Sequence, residues 1–112
     1  MALLHIDSEQ LSELKEVLED DFGVLIDTYL SDAKLRLQLI KTGISTKNYE
    51  SVRLAAHSLK GASSNLGAQV LAQWCEQLEH DCKIGEFGQC GYFSENIETE
   101  LQRVEQHLLQ LS

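Results

Sequence analysis

The spacing of the apolar residues constrains the fold of this chain more than any other feature. In five segments, apolar side chains recur at steps of three and four residues, the spacing of one continuous stripe along an α-helix. The chain has no proline, and no run of β-branched residues competes with the helical pattern. Its 112 residues suit one domain, so we expect a single all-α domain over residues 1–112.

The five stripes predict five helices of unequal length. They cover residues 8–20, 22–42, a third segment around His57, 68–83 and 93–111. Short connections between amphipathic helices favour antiparallel neighbours, so the four longer helices are expected to form an antiparallel up-down four-helix bundle. The short first helix is expected to be its N-terminal cap helix, with Asp7 and Gln10 forming a capping box.

Glycines and hydroxyl residues mark the expected ends of the inner helices. Gly43 is expected to end the second helix and Gly67 to end the third, because glycine commonly lies just past a helix C-terminus. Ser45 or Thr46 is expected to cap the start of the third helix.

The last predicted helix separates an apolar face from a charged one. The apolar stripe is Phe93, Ile97, Leu101, Val104, Leu108 and Leu111. The outer face carries Glu95, Glu98, Glu100, Arg103 and Glu105. We interpret this outer face as solvated.

One histidine lies away from the apolar stripe of its helix. That stripe is Val52, Ala55, Leu59, Ala62 and Leu66. At roughly 100° per residue, His57 lies almost opposite it, so its imidazole is expected to face solvent. The same face carries Arg53 one turn before His57, Lys60 and Gly61 one turn after it, and Ser64 two turns after it.

These neighbours suit phosphoryl transfer. A neutral imidazole nitrogen is a nucleophile, and a reference pKa of about 6.5 leaves it mostly neutral near pH 7. Lys60 can neutralise charge on phosphoryl oxygens. Gly61 costs about 1 kcal/mol relative to alanine in a helix, which is consistent with a cleared docking surface. The spacing alone leaves two alternatives open: most exposed helical histidines have no special role, and a glycine at position 61 can permit close packing of a neighbouring helix.

The sequence HSLKGASSNLG at residues 57–67 resembles the signature of histidine-containing phosphotransfer (HPt) domains. The resemblance extends over about residues 7–108 and implies that His57 accepts the phosphoryl group, with Lys60 as its electrostatic neighbour and Gly61 keeping the approach open. It also places Glu79 near the imidazole, where many members carry a polar residue, often Gln.

The same resemblance implies a function and its partners. We expect a phosphorelay intermediate that takes a phosphoryl group from the receiver domain of a hybrid histidine kinase and passes it to a response regulator. Mg²⁺ is expected on the receiver domain, and no cofactor is expected on this chain. Arg53 and Ser64 are expected to contribute to docking. Whether Arg53 and Lys60 form a basic patch is a hypothesis.

Composition and missing motifs exclude several other classes. The formal net charge of −9 argues against a basic nucleic-acid-binding surface. No phosphate-binding Gly-x-x-x-x-Gly-Lys-Ser/Thr or Gly-x-Gly-x-x-Gly motif occurs, so we expect a carrier protein and not an enzyme. The first residues do not resemble a signal peptide, and no stretch approaches the roughly 20 apolar residues of a membrane span. We therefore expect a cytoplasmic protein, and a monomer.

The cysteines and the remaining histidines are expected to be structural or solvated. Cys75 and Cys82 share a helix face with leucines, and together with Cys90 they fit no familiar zinc spacing, which favours a reducing compartment. Trp74 is interpreted as a core anchor. The other histidines are His5 in a flexible start, His80 near a helix end and His107 on the last helix.

Three alternatives stay open. The first is the dimerisation segment of a histidine kinase, although Ser58 follows the histidine where an acidic residue is usual and the chain has no proline. The second is a helical adaptor that binds receiver domains without phosphotransfer. The third is the histidine-bearing domain of a larger kinase, against which we set the Met1 start and the end just after the last stripe.

Overall fold

The computed structural model describes residues 2–111, which form five α-helices and no strand. The helices are α1 (Ser8–Leu18), α2 (Phe22–Ser45), α3 (Tyr49–Asn65), α4 (Gln69–Ile84) and α5 (Cys90–Leu111). A 3-10 turn, Glu19–Asp21, joins α1 to α2. The first helix therefore ends two residues earlier than predicted, at a point where Glu19 takes a positive φ of 49°.

Helices α2 to α5 form a closed bundle in which each helix packs against two others. The pairs are α2 with α3, α3 with α4, α4 with α5, and α5 back with α2. The connections are short, at residues 46–48, 66–68 and 85–89, so successive helices run antiparallel. The predicted all-α four-helix bundle is confirmed.

The core lies along the bundle axis and is filled by the predicted stripes. Its largest fully buried apolar side chains are Leu11, Ile26, Ile40, Leu59, Leu71, Leu78, Ile97 and Leu108. Burial of a leucine or isoleucine side chain stabilises a fold by about 1.5–3 kcal/mol, so these residues dominate the cohesion of the helices. No helix within residues 2–111 is long and apolar enough to cross a membrane.

The expected end of α2 at Gly43 is wrong. The helix continues to Ser45, and Gly43 is buried inside it against α3. A Cβ atom at Gly43 would lie 2.5 Å from Cγ2 of Val52, so glycine is needed here for the close approach of two helices. Asn48 caps α3 by accepting a hydrogen bond from the backbone N–H of Ser51, so the expected cap at Ser45 or Thr46 is also wrong.

The expected stop at Gly67 is confirmed, and the N-terminal segment packs against it. Gly67 has a φ of +81°, and a Cβ there would lie 2.9 Å from the Cβ of Asp7. Asp7 caps α1 as predicted, but the capping box is wrong. The Gln10 side chain instead donates hydrogen bonds to the carbonyls of Ser64 and Asn65, at 2.9 and 3.0 Å. Gln10 thereby adds side-chain hydrogen bonds to two carbonyl groups of the last turn of α3, where α-helical N–H donors run out.

The predicted solvated face of α5 is wrong at Glu100. This side chain is only 1% exposed, and it accepts hydrogen bonds from His5 Nδ1 at 2.5 Å and from Arg103 at 3.1 Å. The segment before α1 reaches Glu100 through His5, and the carbonyl of Leu4 in the same segment accepts a hydrogen bond from the backbone N–H of Val70 on α4. The His5 side chain is 60% exposed, but its hydrogen bond to Glu100 ties the expected flexible start to the bundle. Helix α5 also begins three residues earlier than predicted, at Cys90.

Candidate functional site

Helix α3 presents His57 on the outside of the bundle. Its buried face consists of Val52, Ala55, Ala56, Leu59 and Ser63. The His57 side chain points the other way and is 64% exposed. The exposure predicted from the helical angle is therefore present in the structure.

A carboxylate on the next helix joins the two basic residues of the motif. Oε2 of Glu79 lies 2.7 Å from Nδ1 of His57, and Oε1 of the same side chain lies 2.9 Å from Nζ of Lys60. Glu79 belongs to α4, so the packing of α3 on α4 sets this geometry. The residue that the family resemblance placed near the imidazole is thus in direct contact with it.

Mutual hydrogen bonding shifts the pKa values of this cluster. Burial alone raises the pKa of Glu79, but hydrogen bonds from Lys60 and His57 outweigh burial and leave it below its ordinary value. The hydrogen bond to Glu79 raises the pKa of Lys60 above its ordinary value. Glu79 is therefore ionised, and Lys60 is protonated, at neutral pH.

The carboxylate also fixes which ring nitrogen of His57 carries the proton. An ionised carboxylate only accepts hydrogen bonds, so Nδ1 of His57 donates the bond to Glu79. In the neutral ring, Nε2 is then unprotonated, and it forms no hydrogen bond within residues 2–111. Its lone pair is directed to solvent and is available as a nucleophile.

Arg53 and Lys60 do not form a patch of excess positive charge. Arg53 binds Glu50 through two hydrogen bonds, Nε to Oε2 at 3.0 Å and a terminal nitrogen to Oε1 at 2.5 Å. Lys60 is paired with Glu79. Each cation is thus matched by one carboxylate, so the basic-patch hypothesis is wrong for the unphosphorylated chain.

Gly61 leaves open space beside the imidazole. Apart from its own turn of helix, nothing in the described chain lies within 4 Å of the position that a Cβ would take. Close packing of another helix within residues 2–111 therefore does not explain this glycine. Ser64, one turn further along, is also exposed.

A buried hydrogen bond supports α3 beneath this surface. The hydroxyl groups of Tyr29 and Ser63 are 2.8 Å apart, and Ser63 is fully buried. Burial raises the pKa of Tyr29 to about 12, so its hydroxyl stays protonated. This bond connects α2 to the part of α3 that carries Lys60 and Gly61.

The structure also shows apolar surface near His57 that the sequence reasoning missed. Leu54, one turn before His57, is 55% exposed. A groove of about 580 Å³ opens between α1, α2 and α3. Its lining includes Leu14, Leu18, Leu25, Ala62 and Asn65. Leu14 and Leu18 are half-buried and also pack against the core. Leu54 is a leucine that lies off the apolar stripe of α3, which is a signal of exposed apolar surface in the sequence.

The other histidines, the cysteines and the tryptophan make no hydrogen bond or ion pair with His57 among the described residues. Among residues 2–111, no group of three or more His, Cys, Asp or Glu is arranged to hold a metal ion. Cys75 is buried and Cys82 is half-buried. Trp74 is half-buried and packs edge-on against Tyr92, with ring centroids 5.9 Å apart. His80 and His107 are exposed.

Comparison with known proteins gives one family and several solved structures. The family model described as "Hpt domain" matches residues 24–107. No curated protein matches significantly.

The similar structures share the fold over almost the whole chain. Histidine-containing phosphotransfer protein B (HptB) from Pseudomonas aeruginosa PAO1 is 35% identical, with a TM-score of 0.93 over 97% of this chain and 95% of that one. Two plant structures have similar folds. A putative histidine-containing phosphotransfer protein from rice has a TM-score of 0.82 at 24% identity, over 96% of this chain and 82% of that one. The maize protein ZmHP2 has a TM-score of 0.83 at 21% identity, over 96% and 91%.

Proposed function

Because this chain belongs to the histidine-containing phosphotransfer (Hpt) domain family, we propose that His57 is the residue that carries its phosphoryl group. Proteins of this family are phosphotransfer carriers of phosphorelays and not kinases. His57 takes the group from an aspartyl-phosphate of one receiver domain and passes it to the aspartate of another. We assign these receivers to a hybrid histidine kinase and to a response regulator.

The proton on Nδ1 supports attack by Nε2. The Nε2 lone pair forms a bond to phosphorus while the bond from phosphorus to the aspartate oxygen breaks, and the aspartate leaves as a carboxylate. The phosphorylated ring keeps its proton on Nδ1 and is therefore cationic. The Glu79 carboxylate, 2.7 Å from Nδ1, stabilises that charge. In the reverse step, the proton lets the ring leave as a neutral imidazole.

Lys60 is placed to meet the incoming phosphoryl oxygens. Its side chain is 30% exposed, and it lies one turn from His57. It shares the Glu79 carboxylate with His57, so it can exchange this partner for a phosphoryl oxygen during transfer. The Mg²⁺ ion that assists the reaction belongs to the receiver domain in this proposal.

The docking surface extends from His57 to the apolar groove. Eight residues of helix separate His57 from Asn65, a distance of about 12 Å. A standard interface of about 800 Å² per partner has a radius of roughly 16 Å, so one receiver domain can cover both His57 and the apolar groove. Arg53 and Ser64 lie within the same surface. Gly61, between them, removes a side chain from the approach path.

Two further features complete the proposal. The three cysteines are free thiols, which supports a location in the reducing cytoplasm, where phosphoryl transfer would take place. We also propose that the carrier is a monomer, because one chain contains all of the helices of the bundle.

The exposed His57 ring, held by Glu79 through Nδ1, is the observation on which the assignment rests. The test is incubation with a receiver domain carrying a radiolabelled aspartyl-phosphate. We expect an acid-labile, alkali-stable label on the parent and no label on His57→Gln. His107→Gln, another exposed helical histidine, is the matched control and should accept label at the parental rate. Label on folded His57→Gln would show that another residue is the acceptor.

A further inference from the structure

Two cysteine thiols meet where the end of α4 faces the start of α5. Cys82 is half-buried and Cys90 is buried, and their Sγ atoms are 3.9 Å apart. Eight positions separate them in sequence, and the connection between their helices turns through Gly85, whose φ is +80°. This pair has no part in the chemistry of His57.

We propose that Cys82 and Cys90 are an oxidisable dithiol that closes to a reversible disulfide bond. The sulfurs of a disulfide are about 2.05 Å apart, so this pair must approach by roughly 2 Å. Because Cys82 lies in the last turn of α4 and Cys90 is the first residue of α5, helix ends and a short connection absorb that movement. Cys75, fully buried in the core, is a built-in control.

The two thiols differ in access, which gives each one a role. Cys82 reaches solvent and meets a small oxidant first, while Cys90 is covered and acts as the resolving thiol. Burial raises the pKa of Cys82 to about 12 and also raises the pKa of Cys90. Since the thiolate is the reactive form, the reaction is slow at neutral pH, and its rate rises about tenfold for each unit by which the pH is increased toward the pKa.

The oxidant for closing the Cys82–Cys90 disulfide is a peroxide, such as hydrogen peroxide. The Cys82 thiolate attacks one peroxide oxygen, the O–O bond breaks, and the released hydroxide takes up a proton to become water. The resulting sulfenic acid is attacked by the Cys90 sulfur. The S–S bond forms, the S–O bond breaks, and a second water leaves with the Cys90 proton. Two electrons pass from the two sulfurs to the peroxide.

The test uses the folded full chain, treated with hydrogen peroxide at pH 8.5 and then with an alkylating reagent. We expect two of the three thiols to disappear and the mass before alkylation to fall by about 2 Da. Peptide mapping should join Cys82 to Cys90, and a dithiol reductant should restore both thiols. Cys75→Ala should retain this response, whereas Cys82→Ser and Cys90→Ser should each lose it.

Three outcomes would overturn the proposal. One is retention of all three thiols in the folded chain under conditions that oxidise the urea-unfolded chain. Another is a disulfide that includes Cys75. The third is oxygen addition at Cys82 without a bond to Cys90. None of these outcomes depends on whether His57 carries phosphate, because no receiver domain enters the experiment.

Discussion

Replacing Gly61 with alanine should stabilise the fold and slow phosphotransfer. Glycine inside a helix costs about 0.5–1 kcal/mol relative to alanine. The new Cβ meets nothing within 4 Å in the described chain outside its own turn, so no clash offsets this gain. Unfolding entropy of about 2.1 cal/mol/K per residue amounts to roughly 240 cal/mol/K here, so a gain of 1 kcal/mol raises Tm by about 4 °C.

The same methyl group enters the surface that we assign to the receiver domain. An overpacked contact costs about 1–3 kcal/mol, which corresponds to a loss of roughly 5- to 150-fold in kcat/KM, mostly through KM. Urea unfolding gives the stability, and transfer from a labelled receiver gives the rate. Gly91→Ala is the control, since Gly91 is also exposed in open space but lies on α5. A stabilised Gly61→Ala variant that transfers at the parental rate would refute the docking role of this glycine.

Three further substitutions test the charges of the structure. Lys60→Ala should slow phosphoryl transfer by about tenfold or more and change the Kd for the receiver domain little, since Lys60 acts on the phosphoryl group. Equal transfer rates of the parent and the variant in a rapid-quench assay would discard that role. Glu79→Gln should mix the His57 tautomers in nitrogen NMR, and a ring that keeps its proton on Nδ1 would contradict orientation by the carboxylate. Because the pKa of Glu79 is lowered on folding, its charge stabilises the fold above the ordinary value of 4.5 and ceases to do so as pH falls through the folded pKa. The difference in unfolding free energy between the parent and Glu79→Gln should therefore disappear in acid. Glu100→Gln should lower the free energy of unfolding in urea by about 1–3 kcal/mol, because it weakens the buried hydrogen bonds to His5 and Arg103. The exposed control Glu95→Gln should lower it by less than about 0.5 kcal/mol. Equal losses in the two variants would show that the burial of Glu100 is unimportant.

The helices and the orientation of His57 could be predicted because both are local properties. A three-four spacing reports which side of a helix is buried, and His57 lies at the opposite angle. Its exposure follows from the same count. Glu79 differs, because 22 residues separate it from His57 and only the family resemblance placed it there.

The errors arise where another part of the chain decides the outcome. Gly43 has the local signature of a helix end, yet its small size serves the approach of Val52 from α3. Glu100 has the spacing of a solvated residue, yet it is buried and hydrogen-bonded to His5 from the segment before α1. Gln10 fits the capping-box pattern, but the carbonyls at the end of α3 offer its amide a better partner. None of these tertiary contacts can be predicted from the three-four spacing of apolar residues in the sequence.

The sharing of one carboxylate between His57 and Lys60 makes reactivity a property of tertiary structure. The imidazole and the group that orients it come from different helices, and ribosomal synthesis completes α4 only after α3. A nascent, misfolded or proteolytically cut chain would still contain the histidine but would lack its fixed tautomer. Loss of the packing between α3 and α4 should therefore lower the reactivity of His57 even in a chain whose sequence motif is intact.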